Sequence, residues 1–149
     1  MPQSRTAQTF APRYKGQAPA LDANGAISLM AWTPRIVAKT AAYTVLPSDS
    51  GTIFTTVGAT QAINFTLPAI STGPWAFYFI AGSDQNLTVT SETADTMITF
   101  NDLQADSIAL STSGEKIGGG FMAFCDGTSV FCAQIFGVSH RQTATIATS

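Results

Sequence analysis

The single histidine and the two cysteines are the natural first candidates for chemistry in this 149-residue chain. A Ser-His-Asp or Cys-His arrangement needs an imidazole to carry the proton, and only His140 can supply one. It stands in the polar stretch His140-Arg141-Gln142-Thr143, past the last apolar run, where a chain tail is expected and not a rigid site. Zinc needs four Cys or His ligands, or three at a catalytic centre, and Cys125, Cys132 and His140 follow neither a CxxC nor an HxxxH spacing. Both cysteines are expected as small buried thiols. In Gly114-Glu115-Lys116-Ile117-Gly118-Gly119-Gly120 the lysine precedes the glycines and no Gly-Lys-Ser/Thr closes the run, so a flexible turn is expected there and not a phosphate loop. Asn101, Asp102 and Asp106 offer oxygens to a hard cation, but they lack the EF-hand pattern and read as a solvated loop. Asp84, Glu92, Asp95, Asp102 and Asp106 could supply paired carboxylates for glycoside hydrolysis, yet nothing in their spacing selects a pair. The expectation is a chain with no catalytic, metal or cofactor site, and no enzyme.

Aromatic side chains offer a different chemistry, stacking on sugars or bases. Trp75, Phe77, Tyr78 and Phe79 are so close together that a strand divides them between its faces, and packing in a core or at a subunit interface is their expected use. Asn64-Phe65-Thr66 and Asn86-Leu87-Thr88 match glycosylation sequons. The first twenty residues hold no apolar run like that of a signal peptide, so these sequons read as accidents of Thr-rich strands and synthesis in a cytoplasm is expected.

The elements that would position these residues begin near residue 41. Short apolar or alternating runs recur at spacings of roughly 8–12 residues, broken by turn signals. Tyr43–Leu46, Thr52–Val57, Ala62–Leu67, Trp75–Ala81, Leu87–Thr90, Met97–Phe100, Ser107–Leu110, Phe121–Cys125 and Val130–Phe136 make about nine predicted strands. Ile63, Phe65 and Leu67 alternate with Asn64 and Thr66 at period two. Trp75–Ala81 is apolar on both faces, which predicts a central strand or one at a subunit contact. No sustained helical stripe occurs. Asp126-Gly127 between two apolar runs predicts a hairpin; a two-residue loop would set Cys125 opposite Thr128 and Cys132 opposite Phe121, and a longer loop would shift that register. The rhythm is that of an all-β sandwich or barrel.

The first forty residues differ. They hold four of the seven prolines and keep neither period, yet Phe10, Tyr14, Leu21, Ile27, Leu29, Met30, Trp32, Ile36 and Val37 are too many large apolar groups for a solvated tail. An extended arm lying on a surface is expected, either on another protein or folded back on its own domain. Residues 1 to 39 carry a net charge of +4 and the remainder −6. A basic arm can meet nucleic acid, but its charges are scattered, so an acidic protein surface is the preferred partner. The longest apolar run is far short of the ~20 residues of a membrane helix. Only 11% of residues are charged, against about 25% in a typical domain. With Thr and Ser numbering 21 and 13, the polar surface is mostly hydroxyl. So few charges leave a monomer poorly solvated and predict coverage by other subunits. Three segments follow: an arm over 1–40, a β domain over 41–138 and a polar tail over 139–149.

Tyr43-Thr44-Val45, Ser50-Gly51-Thr52-Ile53-Phe54, Asn64-Phe65-Thr66-Leu67-Pro68, Gly73, Asn86-Leu87-Thr88-Val89-Thr90 and Cys125-Asp126-Gly127-Thr128 together resemble virion structural proteins of tailed bacteriophages. The resemblance spans about two-thirds of the chain. It implies a jelly-roll-type antiparallel β-sandwich with an extended N-terminal arm, a homotrimer with a dimer as the alternative, and no active-site residues. The parts of the virion it implies are capsid decoration or cement proteins and head- or tail-fibre modules. No shaft repeat is visible in the sequence, which favours the cement role. The arm would then dock on the major capsid protein at the capsid exterior through Phe10, Arg13, Tyr14, Lys15, Leu21, Leu29, Trp32 and Arg35. Trp75, Phe77, Phe79 and Phe131 are the candidates for the subunit interface. The alternative is a carbohydrate-binding receptor module of a fibre.

Overall fold

The computed structural model describes residues 34–94, 96–136 and 144–147. Among them the fold is nearly all β, with short 3-10 turns at Pro47–Asp49 and Ile70–Thr72. In chain order the strands are β1 (Arg35–Ala38), β2 (Tyr43–Thr44), β3 (Thr52–Thr55), β4 (Ile63–Thr66), β5 (Trp75–Ile80) and β6 (Leu87–Thr90). They continue as β7 (Met97–Thr99), β8 (Asp102–Ala105), β9 (Ser107–Leu110), β10 (Gly120–Cys125), β11 (Val130–Phe136) and β12 (Ala144–Ala147). A seven-stranded sheet runs β1-β3-β5-β10-β11-β7-β8, and a five-stranded sheet runs β12-β9-β6-β4-β2.

Both sheets are mixed, which corrects the antiparallel expectation. From β1 to β6 the chain alternates between sheets, so each strand's parallel neighbours lie two strands away in sequence: β1 with β3, β3 with β5, β2 with β4, and β4 with β6; β7 lies parallel to β11 instead. Parallel neighbours need a crossover connection, and here a strand of the opposite sheet serves as that crossover. The result is three successive rungs, β1–β2, β3–β4 and β5–β6, although their sequences show no repeat. Hairpin pairing is confined to later strands, chiefly β7 with β8 and β10 with β11.

Two boundaries also move. Arg35–Ala38, expected in the arm, is an edge strand paired with Thr52–Thr55, and the Arg35 guanidinium meets Asp49 Oδ1 at 3.2 Å. Arg35 therefore belongs to the body and not to the arm. Ala144–Ala147, expected in the polar tail, pairs antiparallel with Ser107–Leu110. Four residues such as Ala-Thr-Ile-Ala carry too little periodicity to announce a strand without their partner. The other arm candidates, Phe10, Arg13, Tyr14, Lys15, Leu21, Leu29 and Trp32, lie outside the described residues, as does His140.

One core joins the sheets. Phe54, Phe77 and Phe79 of the seven-stranded sheet and Phe65 of the five-stranded sheet have no exposed surface. The Phe65 ring lies 4.8 Å from that of Phe79 and 5.4 Å from that of Phe54, while Phe54 and Phe79 stack at 5.7 Å. Asp49, buried at the edge of this core, accepts hydrogen bonds from Tyr43 Oη at 2.9 Å and the Leu46 amide at 3.2 Å. Donating to that carboxylate holds the Tyr43 hydroxyl above its ordinary pKa.

Lys116 is a tether in a built loop, which corrects the reading of its glycine run as a flexible turn. Its ammonium is buried and donates to the Asp84 carbonyl at 3.1 Å and to Asp84 Oδ1 at 3.4 Å. The Gly114 amide donates to the same carboxylate at 2.8 Å, so the β5–β6 and β9–β10 connections are clamped together. These bonds, the Gly114 amide first, hold the Asp84 pKa below 3.8. As pH falls the unfolded chain therefore takes up its proton first. Stability from this carboxylate is complete above about 3.8 and is lost as pH falls towards the folded value. In Asp84→Asn the urea midpoint should change less between pH 5 and pH 3 than in the parent; equal changes in the two proteins would contradict the clamp.

Candidate assembly surface

Strand alternation decides what each sheet shows on its outer side. In the five-stranded sheet the outward positions are hydroxylated: Thr44, Thr66, Thr90 and Ser107 form one row of register partners, and Asn64 and Thr88 begin the next. The Thr90 hydroxyl donates to Asn64 Oδ1 at 2.8 Å along this surface. Such a face is polar without charge.

The seven-stranded sheet shows the opposite chemistry, because β5, β10 and β11 do not alternate with polar residues. Their inward side chains fill the core, and their outward ones are apolar as well. Register places Ile36, Ile53, Tyr78, Met122 and Ala133 in one row across five strands. A second row joins Ala76, Phe124, Phe131 and Ile98, and Ile80 lies in a third. No charged residue stands in the first two rows. At about 4.8 Å between strands the sheet is about 29 Å wide. The apolar rows cover five and four of these strands, about 19 Å across the longer one, which is of the order of the ~300–600 Å² at which a patch marks an interaction site.

Relief on this face comes from aromatic rings. Phe124 and Phe131 are direct cross-strand partners and stack at 5.0 Å with 15° between their planes. With Ile98 and Phe100 they line a shallow depression of about 270 Å³. Phe100 holds its rim in an unusual way. It occupies the first central position of the β7–β8 turn with φ at 43°, followed by Asn101 at 64°. Two positive φ values suit Asn-Gly; a bulky side chain at the first of them is strained. Phe100 is nevertheless 56% exposed.

No protein-family model and no curated protein matches the chain.

The four expected interface residues separate. Trp75, Phe77 and Phe79 are 3%, 0% and 0% exposed, so they are core and not interface. A ring with no accessible surface cannot meet a second subunit. Phe131 alone reaches the outer face, in company that sequence reasoning missed: Phe124, Met122, Tyr78, Ile53 and Phe100. The available signal was the lack of polar alternation in Trp75–Ile80 and Phe121–Cys125, which requires a partner for both faces.

The other candidates resolve locally. The hairpin exists, but its loop has four residues, so Cys125 faces Val130 and Cys132 faces Ala123. Asp126 Oδ1 accepts from the Thr128 and Ser129 amides at 2.7 Å each, which closes the longer loop and lowers the Asp126 pKa. Both cysteines are free and buried, and burial pushes the Cys132 thiol up. Asp102 Oδ1 accepts from the Gln104 amide at 2.8 Å, while the Asp106 carbonyl accepts from the Ser91 amide at 2.9 Å. Asp102 thus ties the start of β8, and the Asp106 backbone ties the β8–β9 junction to Ser91. Asp95 lies outside the described residues.

Proposed function

We propose that the chain is a structural subunit of a tailed-bacteriophage virion, a decoration or cement protein that binds the outside of the capsid and stabilises the shell. The observation that carries this reading is the chemical difference between the two outer faces, one hydroxylated and fit for water, the other apolar and uncharged over several strands. Such a surface fits a homo-oligomer, a trimer by the resemblance with a dimer as the alternative, and the role is structural and not enzymatic. The two facing sheets would be that family's jelly-roll-type sandwich, with parallel rungs in place of some antiparallel pairs. The basic, apolar stretch before residue 34 docks on the major capsid protein, and small contacts repeated in every subunit add by avidity. Assembly in the host cytoplasm would place the protein on the capsid exterior.

One observation favours a second reading, a receptor-binding module of a head or tail fibre. The three rungs form a short coil of the kind a shaft could continue, and the Phe124–Phe131 depression offers rings to a sugar. The two readings part in one binding comparison. The purified chain should co-sediment saturably with undecorated shells of its phage and stay silent on a glycan array at millimolar ligand. Glycan binding without shell binding would transfer the protein to the fibre.

A further inference from the structure

We propose that a second copy of this chain covers the apolar outer face of the seven-stranded sheet, with Phe100 seated against the Phe124–Phe131 pair of its neighbour. The inference rests on the homo-oligomer of the reading above and adds its face and its anchor.

Area is the first support. Specific interfaces bury about 800 Å² on each partner. The two apolar rows, about 19 and about 14 Å across and raised by aromatic rings, supply the apolar centre of such an interface, and the rest of the seven-stranded sheet, about 29 Å wide, supplies its rim. Charge is the second. Chemical complementarity to Ile36, Ile53, Tyr78, Met122, Phe124 and Phe131 requires a surface that is itself apolar and uncharged, and this chain carries one. A second copy meets the face with its own first two rows, which carry no charge.

Phe100 supplies the third support and the geometry. Asn or Gly would satisfy the turn without strain, yet the position holds a large ring, half in solvent, at the rim of an aromatic depression. Strain retained at an exposed residue points to a function for the side chain. Phe100 lines the depression of its own subunit, so about a twofold axis the patch meets itself, and about a threefold axis the Phe100 of each subunit meets the Phe124–Phe131 pair of the next.

Phe100→Asn removes the ring and suits the positive φ, so the variant keeps its fold while losing its anchor. Light scattering during size exclusion should give the parent a multiple of 15.6 kDa and Phe100→Asn an association at least tenfold weaker. Phe124→Glu, which places a charge in the depression, should dissociate likewise. Thr88→Glu, on the hydroxylated face, should leave the mass unchanged. Native circular dichroism in all three shows that folding is intact. A monomeric parent at ~100 µM, or Phe100→Asn and Phe124→Glu variants with parental mass, would overturn the inference. Shell binding by the full chain is read separately, so the interface and the capsid reading can fail independently.

Discussion

Replacing Phe79 with alanine should lower the free energy of unfolding by about 3–5 kcal/mol, the cost of deleting a buried ring. The side chain has no exposed surface and meets Phe54, Phe65 and Phe77 with ring centroids 5.7, 4.8 and 6.4 Å away. Phe65 belongs to the opposite sheet, so the cavity would open where the two sheets meet. Close-packed neighbours on regular strands cannot collapse into it without breaking register. Urea unfolding at fixed protein concentration reads the loss as a lower midpoint with an unchanged slope. The same experiment separates core from interface. If Phe79 were an interface residue, its replacement would reduce the assembled mass while moving subunit stability by less than about 1 kcal/mol, and that outcome would contradict the packing described above.

Removing residues 2–33 should weaken shell binding at least a hundredfold while leaving the β body folded. A hundredfold loss corresponds to about 2.7 kcal/mol. That is modest for a stretch bearing Phe10, Tyr14, Leu21, Leu29 and Trp32 with Arg13 and Lys15 among them. The endpoint of the deletion matters. Extending it to residue 39 would strip β1 from the edge of β3, abolish the four register pairs from Arg35↔Thr52 to Ala38↔Thr55, and leave buried Asp49 without its guanidinium. Lost binding by that longer deletion would mix unfolding with loss of the arm. With the shorter one, native circular dichroism and shell co-sedimentation report on separate parts of the molecule. Undiminished binding by residues 34–149 would remove the arm from the docking mechanism.

Strands were legible in the sequence wherever one face is polar. Ile63-Asn64-Phe65-Thr66 announced its core face because Asn64 and Thr66 stand on the outside. Pairing was far less legible: a period of two identifies a strand but carries no information about which strand lies beside it. The parallel rungs depend on contacts between residues such as Ile53 and Tyr78, remote in sequence and brought together by crossovers through the other sheet. Arg35–Ala38 escaped notice because Pro34 and the preceding irregular text resemble an arm, and its strand character comes from β3. The apolar outer face was half visible. The apolar run Trp75–Ile80 indicated two buried faces, but alternation assigns Trp75, Phe77 and Phe79 inward and Ala76, Tyr78 and Ile80 outward, and the large aromatics drew attention to the wrong side. Phe100 gave no sequence signal, since what sets it apart is its backbone angle.

Electron cryomicroscopy of undecorated phage shells incubated with the full chain tests the central claim most directly. The account predicts added density on the outer shell surface, with two-sheet bodies clustered about a local symmetry axis and connected density leading from residue 34 over the major capsid protein. Shells without added density, or density confined to the tips of head or tail fibres, would contradict it.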